Sequence, residues 1–148
     1  MQARGRHPHS EWLARTEGLV TPEEAMALGL SPGTRVYRFT RIRYADEQSM
    51  ALEYSTIPAY CLTSTESVTT SLYEALERTG HRPIRALQRL RAVAFSPDQA
   101  ERLGVKPGDP GLFIERRGFL QDGRAAEFTQ SYYRGDAYDV VAELNDIS

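Results

Sequence analysis

Cysteine occurs once in the 148 residues, at Cys61, so the chain can form no internal disulfide and no cysteine-based zinc site. Histidine is nearly as scarce. His7 and His9 lie near the N-terminus and His81 follows a helix stop, leaving no histidine beside a nucleophile and no metal-ligand spacing. No apolar run approaches a membrane span, and Met1 to Ser10 is basic without the apolar stretch of a signal peptide. A net charge of -2 and a pI near 5.9 lack the basic footprint of a nucleic-acid binder. Gly-rich phosphate loops and dinucleotide fingerprints are missing as well. The expectation is a cytoplasmic protein with no metal, no cofactor and no enzyme constellation. What remains is ordinary globular material, 41% hydrophobic and 26% charged, of a size that suits one domain.

A thirteen-residue pattern is present twice: Thr21 to Gly33 returns as Ser96 to Gly108. Each copy has a hydroxyl N-cap, Pro at the first helical position, an acid or amide three residues after the cap, and Gly where a left-handed C-terminal residue is wanted. Each therefore predicts one short helix. After the first copy, Thr34 to Ile57 reads as strand, turn at Asp46-Glu47-Gln48, strand; after the second, Gly111 to Tyr133 reads as strand, turn at Gln121-Asp122-Gly123, strand. Two helix-plus-hairpin units put four antiparallel strands into one sheet, an α+β arrangement. Between them, Ser71 to Gly80 carries a capping-box signature and predicts a third helix, and Arg82 to Phe95 predicts another strand. Ser10 to Gly18 reads as extended or as a short helical turn, with residues 1–16 as an arm or linker remnant and 17–148 as the domain. A weak C-terminal helix is expected over Ala137 to Leu144.

Arg41 and Arg43 sit at i and i+2 of one strand, so both guanidinium groups project from the same face, where they could fork onto a phosphate or carboxylate. On the residues alone, solvated arginines or salt bridges to Glu53 are the commoner explanation of such a pair. Ser71 and Tyr73 open a helix, whose unpaired N–H groups favour an anion, although Ser71 could be only an N-cap. Glu53 and Glu127 occupy matching places in the two return strands, and Tyr133 shares the parity of Glu127. Each glutamate faces water, meets an arginine, or accepts hydrogen bonds from a polar ligand.

Five segments taken together, Arg41 to Asp46, Met50 to Ser55, Ser71 to Leu76, Leu103 to Gly108 and Glu127 to Asp136, resemble the UTRA ligand-binding domain of GntR-type transcriptional regulators of the HutC-like branch. They follow the family's order and cover roughly Glu17 to Leu144. The resemblance implies a chorismate lyase-like fold, an antiparallel sheet flanked by helices, usually in a homodimer. In relatives that sense phosphorylated amino sugars, the anion is held by residues that fall on Arg41, Arg43, Ser71 and Tyr73. The sugar hydroxyls are met by residues that fall on Glu53, Glu127 and Tyr133. All seven positions carry the expected residue types.

Two departures qualify the resemblance. The winged helix-turn-helix that precedes this domain in such regulators is not within the chain, so DNA would be reached only through that missing part. The following segment, which in relatives adds contacts to the anion, is represented only by His9-Ser10-Glu11. The function implied is the effector-binding domain of a bacterial transcription factor, with N-acetylglucosamine 6-phosphate or glucosamine 6-phosphate as first ligands to consider. A chorismate lyase-like enzyme and a dimerisation module with a vestigial pocket are the alternatives.

Overall fold

The computed structural model describes residues 8–136, so the C-terminal helix expected over 137–144 and the first seven residues of the expected arm lie outside the described residues. The elements are β1 (Pro8–Leu19), α1 (Pro22–Leu28), β2 (Arg35–Ala45), β3 (Gln48–Pro58), α2 (Leu72–Arg78), β4 (Arg85–Ala94), α3 (Pro97–Leu103), β5 (Pro110–Phe119) and β6 (Ala125–Arg134). All six strands pair antiparallel in one sheet of order β1-β2-β3-β6-β5-β4.

The repeated motif folds as its local chemistry requires. Thr21 accepts from the Glu24 N–H while the Glu24 carboxylate accepts from the Thr21 N–H, and Ser96 and Gln99 do the same at α3. Both helices then end on a left-handed glycine, Gly29 with φ 65° and Gly104 with φ 70°, a conformation that a side chain disfavours. At α2 only half of the expected capping box forms: Ser71 accepts from the Glu74 N–H, while the Glu74 carboxylate lies 3.8 Å from Arg78, one turn on.

The repeating unit is larger than helix plus hairpin. Residues 8–19, expected mostly as an arm, form the edge strand β1, which pairs with β2 along its length with one bulge at Leu13. Each half of the sheet is thus strand, helix, hairpin: β1-α1-β2-β3 and β4-α3-β5-β6. The two hairpins meet at the centre, where β3 runs beside β6 from Ala51↔Tyr133 to Thr56↔Phe128.

The helices divide between the two sheet faces according to strand parity. On one face α3 packs Ala100 and Leu103 against Ile42 and Leu52, and α1 packs Leu28 against Phe128. On the other, α2 packs Leu72, Ala75 and Leu76 against Tyr37, Phe39 and Ile57. Fully burying aliphatic and aromatic side chains of this kind contributes roughly 1.5–3 kcal/mol apiece. The α2 helix spans seven residues and covers only part of its face. The uncovered part, over the centre of the sheet, is polar.

Strand β4 forms the opposite edge and is exposed on both faces except at Val93. Its charged side, Arg85, Arg89 and Arg91, is turned away from the cavity. There Arg85 lies over Phe119, Arg91 over Phe113, and Arg89 stands 3.8 Å from Glu115.

A polar cavity at the centre of the sheet

Beside α2 the sheet opens into a cavity of about 1020 Å³, lined by all seven residues that the resemblance singles out. Strands β2, β3, β6 and β5 form its floor, and β1 and the start of α2 form its walls. A row of register partners crosses the floor, from Arg41 on β2 to Glu53 on β3 to Ser131 on β6. Arg41 donates from Nε to Glu53 Oε1 at 2.8 Å, Ser131 donates to Oε2 at 3.1 Å, and Arg43 stands 3.6 Å from Oε2. The salt-bridge reading of Arg41, Arg43 and Glu53 is therefore realised, and it lies inside a cavity. Glu53 is 4% exposed, and burial pushes its carboxyl up; the two guanidinium charges and the Arg41 and Ser131 hydrogen bonds outweigh this and hold it below the usual range.

Glu127, 1% exposed, is held by three donors: Tyr73 at 2.5 Å, Thr129 at 2.6 Å and Arg116 at 3.1 Å. Burial pushes the Tyr73 phenol far up, and the neighbouring Glu127 charge adds to the shift, so Tyr73 stays protonated and donates. Its hydroxyl is spent on Glu127 and not left for an anion. Ser71 differs. Its Oγ accepts from the Glu74 N–H, which leaves the hydroxyl proton to offer to the cavity. The N–H groups of Leu72 and Tyr73, in the first turn of α2, have no acceptor within the helix.

Arg116 and Trp12 are among the cavity residues that the sequence reading missed. Arg116 on β5 lines the floor, pairs with Glu127 and lies 5.7 Å from the Tyr73 ring centroid. Its Nε is buried without a hydrogen-bond partner. The repeat holds the signal that would have found it, since the displacement that carries Thr21 onto Ser96 carries Arg41 onto Arg116. The second is Trp12 on β1, whose indole N–H donates to the Thr69 carbonyl at 2.6 Å and whose ring lies 5.1 Å from the Arg41 guanidinium. It ties the edge strand to the loop that leads into α2. Three guanidinium groups facing two carboxylates leave the cavity with a positive balance, which suits an anionic occupant with a polar body.

The model of the UTRA domain family matches residues 3–139. The chain is a UTRA domain of the HutC-like branch of GntR-type regulators. This UTRA domain is 34% identical, over its whole length, to 62% of the transcriptional repressor NagR of Bacillus subtilis. It is 27% identical over 95% of its length to 56% of the transcriptional regulator GgaR of Escherichia coli. The chain thus spans less than two thirds of these curated relatives. Among solved structures, the ligand-binding domain of a GntR-family regulator from Bordetella bronchiseptica superposes with a TM-score of 0.87 at 28% identity, covering 98% of this chain and 93% of that one. PhnF from Mycobacterium smegmatis shares the fold, with a TM-score of 0.91 at 23% identity over 99% of this chain and 66% of that one. The matched relatives are transcriptional regulators and not enzymes, which sets aside the chorismate lyase alternative. The UTRA domain is the effector-binding part of such a regulator.

Proposed function

We propose that the cavity binds a phosphorylated amino sugar, with N-acetylglucosamine 6-phosphate or glucosamine 6-phosphate as the first candidates. The observation that carries this reading is that Arg41, Arg43 and Ser71 all line one cavity, whose floor is built from buried carboxylates and hydroxyls. Arginine forks suit a phosphate or another small anion. The phosphate lies against Arg41, Arg43, Ser71 and the backbone opening of α2 at Tyr73; the sugar lies against Glu53, Glu127 and Tyr133. Unpaired phosphate would meet the Glu53 carboxylate with like charge, which favours a ligand whose other end carries hydroxyl or amino donors.

In the longer regulator, acting in the cytoplasm as a homodimer, the ligand shifts the arrangement of two DNA-binding parts, and only by its difference in affinity for the two arrangements. DNA is reached through that part and not through this domain.

Thermal denaturation with phosphosugars, phosphonates and organic acids tests the reading. A ligand at about a hundred times its dissociation constant stabilises by roughly 2.7 kcal/mol. Stabilisation by the sugar phosphate but not by its unphosphorylated parent is the expected outcome. Equal stabilisation by both, or none by any anion, refutes it. Sedimentation of the purified chain tests the homodimer.

A further inference from the structure

The cavity floor contains a directed chain of hydroxyls. Ser55 on β3 and Thr129 on β6 are register partners at the centre of the sheet, and their side-chain oxygens lie 2.8 Å apart. Thr129 Oγ1 also lies 2.6 Å from Glu127 Oε2. A threonine hydroxyl has one proton and an ionised carboxylate has none to give. The Thr129 proton therefore goes to Glu127, and Ser55 must donate to Thr129. With its own proton used in this way, Ser55 Oγ can only accept from anything in the cavity, and among the described residues no group donates to it. Glu127 is in the opposite position: Tyr73, Arg116 and Thr129 fill three of the about four acceptor sites of a carboxylate.

We propose that Ser55 contacts the ligand directly, accepting a hydrogen bond from a hydroxyl or amino group on the end away from its phosphate, and that Thr129, anchored on Glu127, is the positioning residue that fixes Ser55 as an acceptor. This rests on the reading of the cavity as a phosphosugar site. It narrows the ligand class to an anion whose far end presents donors. A second carboxylate or phosphate at that end would meet only lone pairs on Ser55 and the Glu53 charge beside it.

The test is calorimetric titration with glucosamine 6-phosphate and with analogues that each lack one hydroxyl or the amino group, using the unsubstituted chain, Ser55→Ala, Thr129→Val and Thr129→Ser. The unsubstituted chain is expected to discriminate against one analogue by about tenfold, the value of one hydrogen bond to a buried acceptor. Ser55→Ala should erase that one preference and keep the others. Thr129→Val, which lets the Ser55 proton rotate away, should weaken the same preference, and Thr129→Ser should restore it. If Ser55→Ala keeps every preference, or weakens all analogues equally, Ser55 is not a contact and the proposal is overturned. If the unsubstituted chain binds none of these phosphates, the phosphosugar reading itself fails, an outcome visible before any substitution is made.

Discussion

Arg41 and Glu53 stand directly opposite one another on β2 and β3, joined by a 2.8 Å hydrogen bond from guanidinium Nε to carboxylate. That bond uses Nε alone, so the terminal nitrogens of Arg41 remain for the cavity. Arg41→Ala is expected to bring phosphosugar binding below detection in calorimetry. It should also lower the unfolding free energy by roughly 2–4 kcal/mol in urea titration, because the buried Glu53 loses its nearest cation. Adding Glu53→Gln should recover most of the stability and none of the binding. Near-normal affinity in Arg41→Ala would remove this residue from the anion site.

Glu24 predicts a different behaviour on the opposite face of the sheet. Its carboxylate accepts from both Arg38 Nε and Arg38 Nη2 at 2.8 Å, from the Thr21 N–H and from Thr56. The Arg38 hydrogen bonds, against the cost of burial, lower its pKa from 4.5 to about 2. A lowered folded-state value contributes stability above the unfolded value that is lost as pH falls through the folded one. Denaturation midpoints should therefore drop between about pH 4.5 and 2, and Glu24→Gln should be less stable at pH 7 with a flatter acid limb. An identical acid limb in Glu24→Gln would assign the loss to other carboxylates.

Gly118 and Gly111 both lie on β5 and should respond differently to alanine. A Cβ at Gly118 would sit 2.9 Å from Glu127 Oε1 and 2.9 Å from the Pro83 side chain, while one at Gly111 would run into the Phe95 ring. Both substitutions overpack and should cost roughly 1–3 kcal/mol in thermal or urea melts. Only Gly118→Ala displaces a cavity carboxylate, so only it should weaken the ligand relative to its own stability loss. Parallel binding losses in the two variants would contradict this.

Trp12 is the single tryptophan of the chain and lies against Arg41. Ligand entry at Arg41 should change its emission, and Trp12→Phe should silence the signal while binding, followed by calorimetry, weakens only a few-fold. An emission spectrum unmoved at saturating ligand would separate the binding event from β1.

The fold was legible wherever local chemistry carries it. The caps at Thr21 and Ser96, the glycines at 29 and 104 and the two hairpin turns each act within a few residues, and each formed. Strand β1 was not legible because an edge strand with polar faces needs little apolar pattern: Trp12 and Leu13 were its only strong marks, and its partner β2 supplies the hydrogen bonds that define it. Arg41 and Arg43 were visible as a same-face pair. Arg116 was hidden beside Arg117, since parity alone does not say which of two adjacent arginines faces the cavity, and a bulge follows between Gly118 and Phe119. The hydroxyl chain through Ser55 and Thr129 depends on how two distant strands align, which no local pattern encodes.

Among the described residues, the strands of the two halves pair only along β3 and β6, and the cavity straddles that seam. Arg41, Arg43 and Glu53 belong to one half; Arg116, Glu127 and Tyr133 belong to the other; Tyr73 hangs from the connection between them. An occupant held from both sides acts as a rivet, so a twist or splay of one half against the other is resisted by the ligand's own bonds. Strand β1, which contributes His9, Ser10 and Trp12 to the cavity wall, lies within the rivet's reach, whereas the edge strand β4 contributes no lining residue and lies outside it.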